Sequence, residues 1–177
     1  VYIKDAFSIA GPVEKEGSIK DYDLVMDDYY YRAKTFEQAE IRMQRVVIDN
    51  LLRKNHLLHS DIDLLVSGDL SNQISVSCYA ASNYNIPFLG VYSACASFVE
   101  GLILASELIE TRKKANAVCV TSSHNLAAEK QFRFPIEYGA PKPSTTTFTA
   151  TGSVAVLLTK EKTDLRLESY TIGTVID

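Results

Sequence analysis

The stretch from Ser93 to Glu110, SACASFVEGLILASELIE, constrains the fold of this chain more than any other. Phe98, Val99, Leu102, Ile103, Leu104, Ala105, Leu108 and Ile109 wrap most of the circumference of a helix. A helix apolar nearly all round has to be buried on more than one side. It follows a short strand-like run, NIPFLGVY (Asn85–Tyr92), in which Pro87 suits an edge strand or a first strand position.

The neighbouring segments extend this strand–helix unit in both directions. Thr35-Phe36-Glu37-Gln38 reads as a capping box. After it, Phe36, Ala39, Met43, Val47 and Leu51 recur at helical spacing, opposed by Glu37, Arg42, Arg45 and Asp49, which predicts an amphipathic helix to about His56. DIDLLVSG (Asp61–Gly68) predicts a buried strand. Ser71 is placed to cap a short helix through about Ser82, with Ile74, Cys78 and Ala81 on one face. ANAVCVTSS and GSVAVLLT predict two more strands, and RLESYTIGTV a last one. This alternation gives an α/β fold with a mostly parallel sheet and right-handed crossovers. Sites on such sheets lie at the carboxyl ends of strands, where SGDLSN, YSACAS and the opening TSSHN converge.

Composition narrows the function classes. A net charge of -4 gives no general attraction for nucleic acid or anionic membranes. No apolar run approaches the roughly 20 residues that span a bilayer, and no signal-peptide pattern opens the chain. Cys78, Cys95 and Cys119 lack metal-ligand spacing and fit free thiols in a reducing compartment. Cys78 on a helix face and Cys119 in a strand are expected in the core. STTTFTATG (Ser144–Gly152) has neither a phosphate-loop lysine nor a dinucleotide glycine pattern.

Among candidate site residues, Cys95 stands at a helix start, where amide N–H groups and the macrodipole favour a thiolate. It reads either as a nucleophile or cavity thiol, or as a small residue filling a tight turn. Asp69 reads as a helix cap or as a group orienting a ligand. Ser123 and His124 follow a strand, and His124 reads as a base, a donor to an anion, or a polar turn residue. Arg133 and Lys142 flank Phe134, Tyr138 and two prolines. An arginine fork matches a carboxylate, and aromatic faces wall a flat ring, so this set suits a planar aromatic acid. A loop packed over the sheet by its own aromatic residues fits the same composition.

GVYSACASFVEG resembles the strand, elbow and buried helix of the thiolase-like superfamily, with Cys95 at the position of its acyl-accepting cysteine. SGDLSNQ, TSSHNLAAEKQFRFPIEYGAPKP and TATGSVAV resemble the stage V sporulation protein AD family within it, and the likeness runs from Ala10–Gly17 to the C-terminal strand. The resemblance implies an N-terminal thiolase-like half over residues 1–177, with a mixed, mostly parallel five-stranded sheet and helices on both faces. It further implies binding of dipicolinic acid (pyridine-2,6-dicarboxylate), alone or with calcium, for uptake into the developing spore. No metal site or other cofactor is expected. The implied partners are membrane-embedded proteins of the same operon, at the spore inner membrane. The implied ligand-binding residues are Asp69, Cys95, Ser123, His124, Arg133, Tyr138 and Lys142. The superfamily's catalytic histidine lies in a second half that these residues do not supply, so catalysis through a Cys95 thioester is the alternative rather than the leading expectation. The same reasoning, with the absent initiator Met, predicts self-association or a chain cut from a longer protein, with NIPFLGVY or the Cys95 helix as the contact.

Overall fold

The computed structural model describes residues 1–111, 115–132 and 149–176, with Phe132 described through its backbone alone. Seven strands form one mixed sheet: β1 (Tyr2–Ala10), β2 (Leu24–Val25), β3 (Leu64–Gly68), β4 (Phe88–Val91), β5 (Asn116–Ser123), β6 (Gly152–Thr159) and β7 (Leu165–Arg166). Their order is β2-β1-β6-β5-β3-β4, and β7 joins β1 at Tyr2 and Ile3. β4, β3 and β5 are parallel, whereas β6 runs antiparallel to both β5 and β1.

Five strands were expected, and the sheet has seven. β1 carries no clear strand pattern in the sequence, because its residues are mostly half-buried and mix apolar with polar types. β2 and β7 are two-residue strands with no sequence signal. The anticipated C-terminal strand shrinks to Leu165–Arg166, beyond which the described chain has no regular structure. The crossover into β6 also differs from expectation. Ser123 stands opposite Gly152, so the chain leaves β5 and re-enters β6 at the same end of the sheet.

Helices cover both faces, as the fold class requires. On one face α1 (Phe36–Lys54) buries Met43, Val47, Ile48 and Leu51 against Leu65, Val118, Val120 and Leu157. On the other, α3 (Ser97–Thr111) sets Ala105 and Ile109 against Val66, Ala117, Val156 and Leu158. Residues one apart in β5 and β6 thus serve opposite cores, the period of two that a pleated strand imposes. α1 opens with Thr35 accepting the Gln38 amide at 3.2 Å, while the Gln38 side chain accepts from the Lys34 amide rather than closing a full box.

α3 departs from the all-round burial its composition suggests. Its sheet-facing side is a stripe of small residues, Ser97, Gly101 and Ala105, ending in Ile109. A Cβ on Gly101 would lie 2.7 Å from Cys119 Sγ, so glycine lets the helix settle directly on β5. The bulky Phe98, Leu102 and Ile103 are only half-buried, and Val99 is 57 % exposed.

α2 (Ser75–Ala81) starts later than predicted because Gln73 and Ile74 adopt left-handed backbone conformations. The later start rotates the buried face to Val76, Ser77 and Ala80 and leaves Cys78 exposed, correcting its expected place in the core. Cys119 is buried as expected, and burial pushes its thiol up to about 12, which makes it inert at neutral pH. No helix among the described residues is long and apolar enough to cross a membrane.

Candidate functional site

A cavity of about 360 Å³ opens at the carboxyl ends of β1, β3 and β5, where the amino end of the antiparallel β6 also arrives. Leu70 after β3, Ala94 and Cys95 after β4, and Thr121, Ser122 and Ser123 of β5 line it. The three segments that the sequence places together therefore do meet. β1 adds Ser8 to Ala10, the loop after β1 adds Glu14 and Tyr22, and Ala150 to Val154 close the far wall.

Cys95 sits in a tight turn, Ala94–Ala96, between β4 and α3. Ala94 has φ 47°, a left-handed conformation that a non-glycine residue adopts at a cost of roughly 1–3 kcal/mol. The turn is braced where the Ser93 amide donates to Ser97 Oγ at 3.1 Å. Gly68 leaves room for this corner, since a Cβ there would lie 2.8 Å from that of Ser97. The strained turn holds the Cys95 thiol exposed on the cavity wall. Ser123 lines the same wall, its hydroxyl donating to the Ala150 carbonyl at 2.6 Å.

Asp69 and His124 are placed elsewhere. Asp69 is buried, and its two carboxylate oxygens accept the Ser71 and Ser77 amides, each at 2.7 Å. It therefore works as a cap for the Asn72–Ile74 turn and the first turn of α2, and the cavity lining does not include it. His124 is fully buried on the α1 side, stacked on Phe36 and edge-on to Tyr29. Its Nε2 lies 2.8 Å from the Tyr29 carbonyl, which can only accept, so Nε2 carries the proton. Burial holds the imidazole below its usual range, so at neutral pH Nδ1 is a bare acceptor, buried and without a partner among the described residues. Neutral His124 packs the start of α4 (Asn125–Phe132) against α1. Arg133, Tyr138 and Lys142 lie outside the described residues.

Sequence reasoning missed three groups around the cavity. Glu14 is the only charged side chain lining it among the described residues. Its Oε1 accepts the Thr151 amide at 2.7 Å, and its buried Oε2 has no partner among the described residues. Behind Ser122, Glu40 and Gln44 of α1 are buried and join a network into β3 and β5. Gln44 Nε2 donates to Ser122 Oγ at 2.8 Å and to Ser77 Oγ at 3.1 Å, while its Oε1 accepts from Ser67 Oγ at 3.1 Å. Ser122 Oγ and Glu40 Oε1 are 2.8 Å apart. Burial, with Asp69 and Glu37 nearby, pushes the Glu40 carboxyl up to about 8. The signal was the i, i+4 spacing of Glu40 and Gln44 beside the apolar stripe of Ala39, Met43 and Val47, a polar pair inside a core face.

Comparison with known proteins gives a consistent picture. The stage V sporulation protein AD family matches residues 1–177. The stage V sporulation protein AD of Bacillus subtilis (strain 168) is 39 % identical over 178 residues, covering 100 % of this chain and 53 % of that protein. The chain thus spans about half the length of the curated relative it matches. Among solved structures, 3-oxoacyl-[acyl-carrier-protein] synthase III from Aquifex aeolicus VF5 superposes with a TM-score of 0.62 at 16 % identity, over 92 % of this chain and 54 % of that one. The β-ketoacyl-[acyl carrier protein] synthase III of Thermus thermophilus gives 0.61 at 12 % identity, over 93 % and 53 %. Those two likenesses establish a thiolase-like fold and carry no activity with them. By sequence across its whole length, the chain belongs to the stage V sporulation protein AD family.

Proposed function

We propose that this sporulation-family chain is a binding protein whose cavity at the Cys95 turn takes dipicolinate. The observation that carries the reading is how the cavity is walled. Uncharged residues of β5, Thr121 and Ser123 among them, line one side, and Ala150 to Val154 line the other. The described lining holds no cation, so a diacid needs Arg133 or Lys142, from the segment between α4 and β6, to avoid unpaired buried charge.

Glu14 adds a condition on the form of the ligand. A carboxylate in the wall repels a bare dianion but suits one that arrives with calcium, an ion that takes oxygen ligands. In this reading the calcium arrives with the ligand and Glu14 meets it at the wall. Isothermal titration of the full-length protein with dipicolinate should give saturable binding, tighter with calcium present, and none with benzoate. Absence of saturable heat both with and without calcium defeats the reading. Arg133→Ala should weaken the binding at least tenfold, and an unchanged affinity removes Arg133 from the site.

The second part of the proposal concerns the open side of the chain. Among the described residues β4 is the last strand of the sheet, Phe88 on it and Tyr92 just after it are 38 % and 59 % exposed, and Val99 of α3 lies exposed nearby in sequence. An unpaired strand edge beside exposed apolar groups invites pairing with another copy or cover by further chain. Sedimentation velocity of residues 1–177 at rising concentration should show association, weakened by Phe88→Lys. A monomer at every concentration counts against it.

A further inference from the structure

α1 carries a second polar stripe, none of which lines the cavity beside Cys95. Its buried residues fall at Ala39 and Glu40, Met43 and Gln44, and Val47 and Ile48, which leaves Gln38, Ile41, Arg42 and Arg45 along one outward flank. With Ala33 before the helix and Tyr79 of α2, these four residues line a groove of about 310 Å³. Arg45 fixes the direction of the flank, because its Nη2 donates to the Tyr79 carbonyl at 2.6 Å.

The hydrogen-bond polarity of this groove is one-sided. The Lys34 amide can only donate, so its 3.2 Å bond to Gln38 occupies Oε1 and leaves the Nε2 donors unused among the described residues. Arg42 and Arg45 carry donors alone. Of the lining side chains only Tyr79, through its hydroxyl, retains an acceptor. Neither arginine has a carboxylate partner among the described residues. Arg42 lies over the Tyr31 ring, 5.5 Å from its centroid, and Arg45 holds a carbonyl while its buried Nε has no partner there. Asp28, Glu37 and Asp49 are engaged by the Tyr30 and Tyr31 amides, by Lys130 and by the Tyr84 hydroxyl.

The segment that carries Tyr31 is strained as well. Tyr31 and Arg32 adopt φ of 46° and 60°, a left-handed region that non-glycine residues enter only where the surroundings enforce it. The brace is Asp28 Oδ1, which accepts the Tyr30 and Tyr31 amides at 2.7 and 3.0 Å. This strain sets the Tyr31 ring against Arg42, so both guanidinium groups are positioned by uncharged partners and lack a counter-ion among the described residues.

We propose that this groove docks an acidic segment of a protein partner, with Arg42 and Arg45 taking two carboxylates and Gln38 giving a further hydrogen bond. Helix residues three apart hold their Cβ atoms about 5–6 Å from each other. Alternate residues of an extended segment present their side chains on one side about 7 Å apart, a comparable spacing. Each guanidinium fork matches a carboxylate through two parallel hydrogen bonds. Tyr79, 65 % exposed, and the half-buried Ile41 add an apolar shelf for a side chain beside the acids. Exposed tyrosine beside arginine is the combination that most often anchors a protein interface. Arg32 and Lys34, exposed just before α1, extend the positive charge in a chain whose net charge is -4. The surface thus attracts an acidic partner and repels a basic one.

The test is fluorescence anisotropy of the full-length protein with a labelled peptide of repeated Glu-Ser-Glu-Leu. Its Gln-Ser-Gln-Leu counterpart is the control, and glutarate is the competitor. The glutamate peptide should bind saturably, at least about tenfold tighter than the glutamine peptide, and should weaken as salt rises. Gln38→Glu keeps the acceptor for the Lys34 amide but turns the unused donor into a carboxylate, and Arg42→Gln removes a cation from an exposed position. Each should weaken the peptide by about tenfold or more and leave the dipicolinate titration as in wild type. A wild-type protein that binds no dipicolinate defeats the cavity reading alone. Equal binding of the two peptides, no saturation by the glutamate peptide, or variants that bind it like wild type overturns the docking proposal. Glutarate that displaces the peptide at equal concentration assigns the groove to small diacids. An Arg42→Gln protein with altered self-association in sedimentation velocity assigns it to a second copy. Either result overturns the acidic protein partner.

Discussion

The contribution of Glu40 to the stability of the fold should fall as pH rises from about 4.5 to about 8, and Glu40→Gln should remove that fall. The sign follows from linkage. The unfolded carboxyl ionises near 4.5, whereas the folded one retains its proton to about 8, so between those values the folded state binds the extra proton. Each pH unit in the window costs about 1.4 kcal/mol, so the full interval amounts to roughly 3–5 kcal/mol. His124 works in the opposite sense below its ordinary value of 6.5, because its folded imidazole resists protonation and stability is gained as pH rises toward 6.5. The Glu40 effect is therefore cleanest between pH 6.5 and 8. Asp5 and Glu37, whose folded values are lowered, lose their contribution only on further acidification. Denaturant unfolding of wild type and Glu40→Gln across this range reads the difference directly. The variant should be the more stable protein at pH 8 and equal to wild type near pH 4.5. Parallel pH profiles for the two would show that Glu40 ionises as freely in the fold as outside it.

A buried acid with that cost is not explained by packing, since an apolar residue would fill the same space without it. Its place, bonded to Ser122 on the α1 face of β5, is one residue along the strand from Thr121 and Ser123 of the cavity wall. The α1 sequence in isolation marks Glu40 and Gln44 as an i, i+4 polar pair beside the core face but does not show that they are buried. The periodicity of Phe36, Ala39, Met43, Val47 and Leu51 located the helix and its core face, because apolar spacing reports burial directly. The same spacing treats Glu40 and Gln44 as flank residues. Whether a flank is solvated depends on what packs beside it, and here β5 and α2 close over both.

The cavity shows the same division. Cys95 and the convergence of three strand ends could be read from segment order, since parallel strands must present their carboxyl ends together. Asp69 and His124 carry reactive side chains in the right segments, yet backbone amides of the α2 region claim one and the Tyr29 carbonyl the other. Segment order places a residue near the site, but the direction of its side chain is settled by partners distant in sequence. Glu14 shows the converse. It stands in the AGPVEKEG segment with no chemical pattern around it, and reaches the cavity only because its carboxylate accepts the Thr151 amide, 137 residues away.

Gln44→Leu should lower stability by roughly 3–5 kcal/mol, the second large effect expected of this network. Gln44 is fully buried and ties α1 to three other elements: Ser67 of β3, Ser122 of β5 and Ser77 of α2. Leucine fills a similar volume, so the loss comes from stranding polar groups rather than from a cavity. Each buried hydroxyl deprived of its partner costs about 1–3 kcal/mol, offset in part by bonds it can remake. A second substitution separates this cause from general misfit. In a Ser77→Ala background one stranded hydroxyl is already gone, so Gln44→Leu should cost less there by on the order of 1 kcal/mol. A loss below about 1 kcal/mol in the single variant, or strict additivity in the double, would mean that the three serines find other partners. The position matters beyond stability because Ser67 and Ser122 sit at the carboxyl ends of adjacent parallel strands. Gln44 holds those two ends at one spacing, and the cavity wall of Thr121 to Ser123 inherits that spacing. A stability loss accompanied by weaker ligand binding at pH values where the fold is still fully populated would place the network in the site as well as in the core.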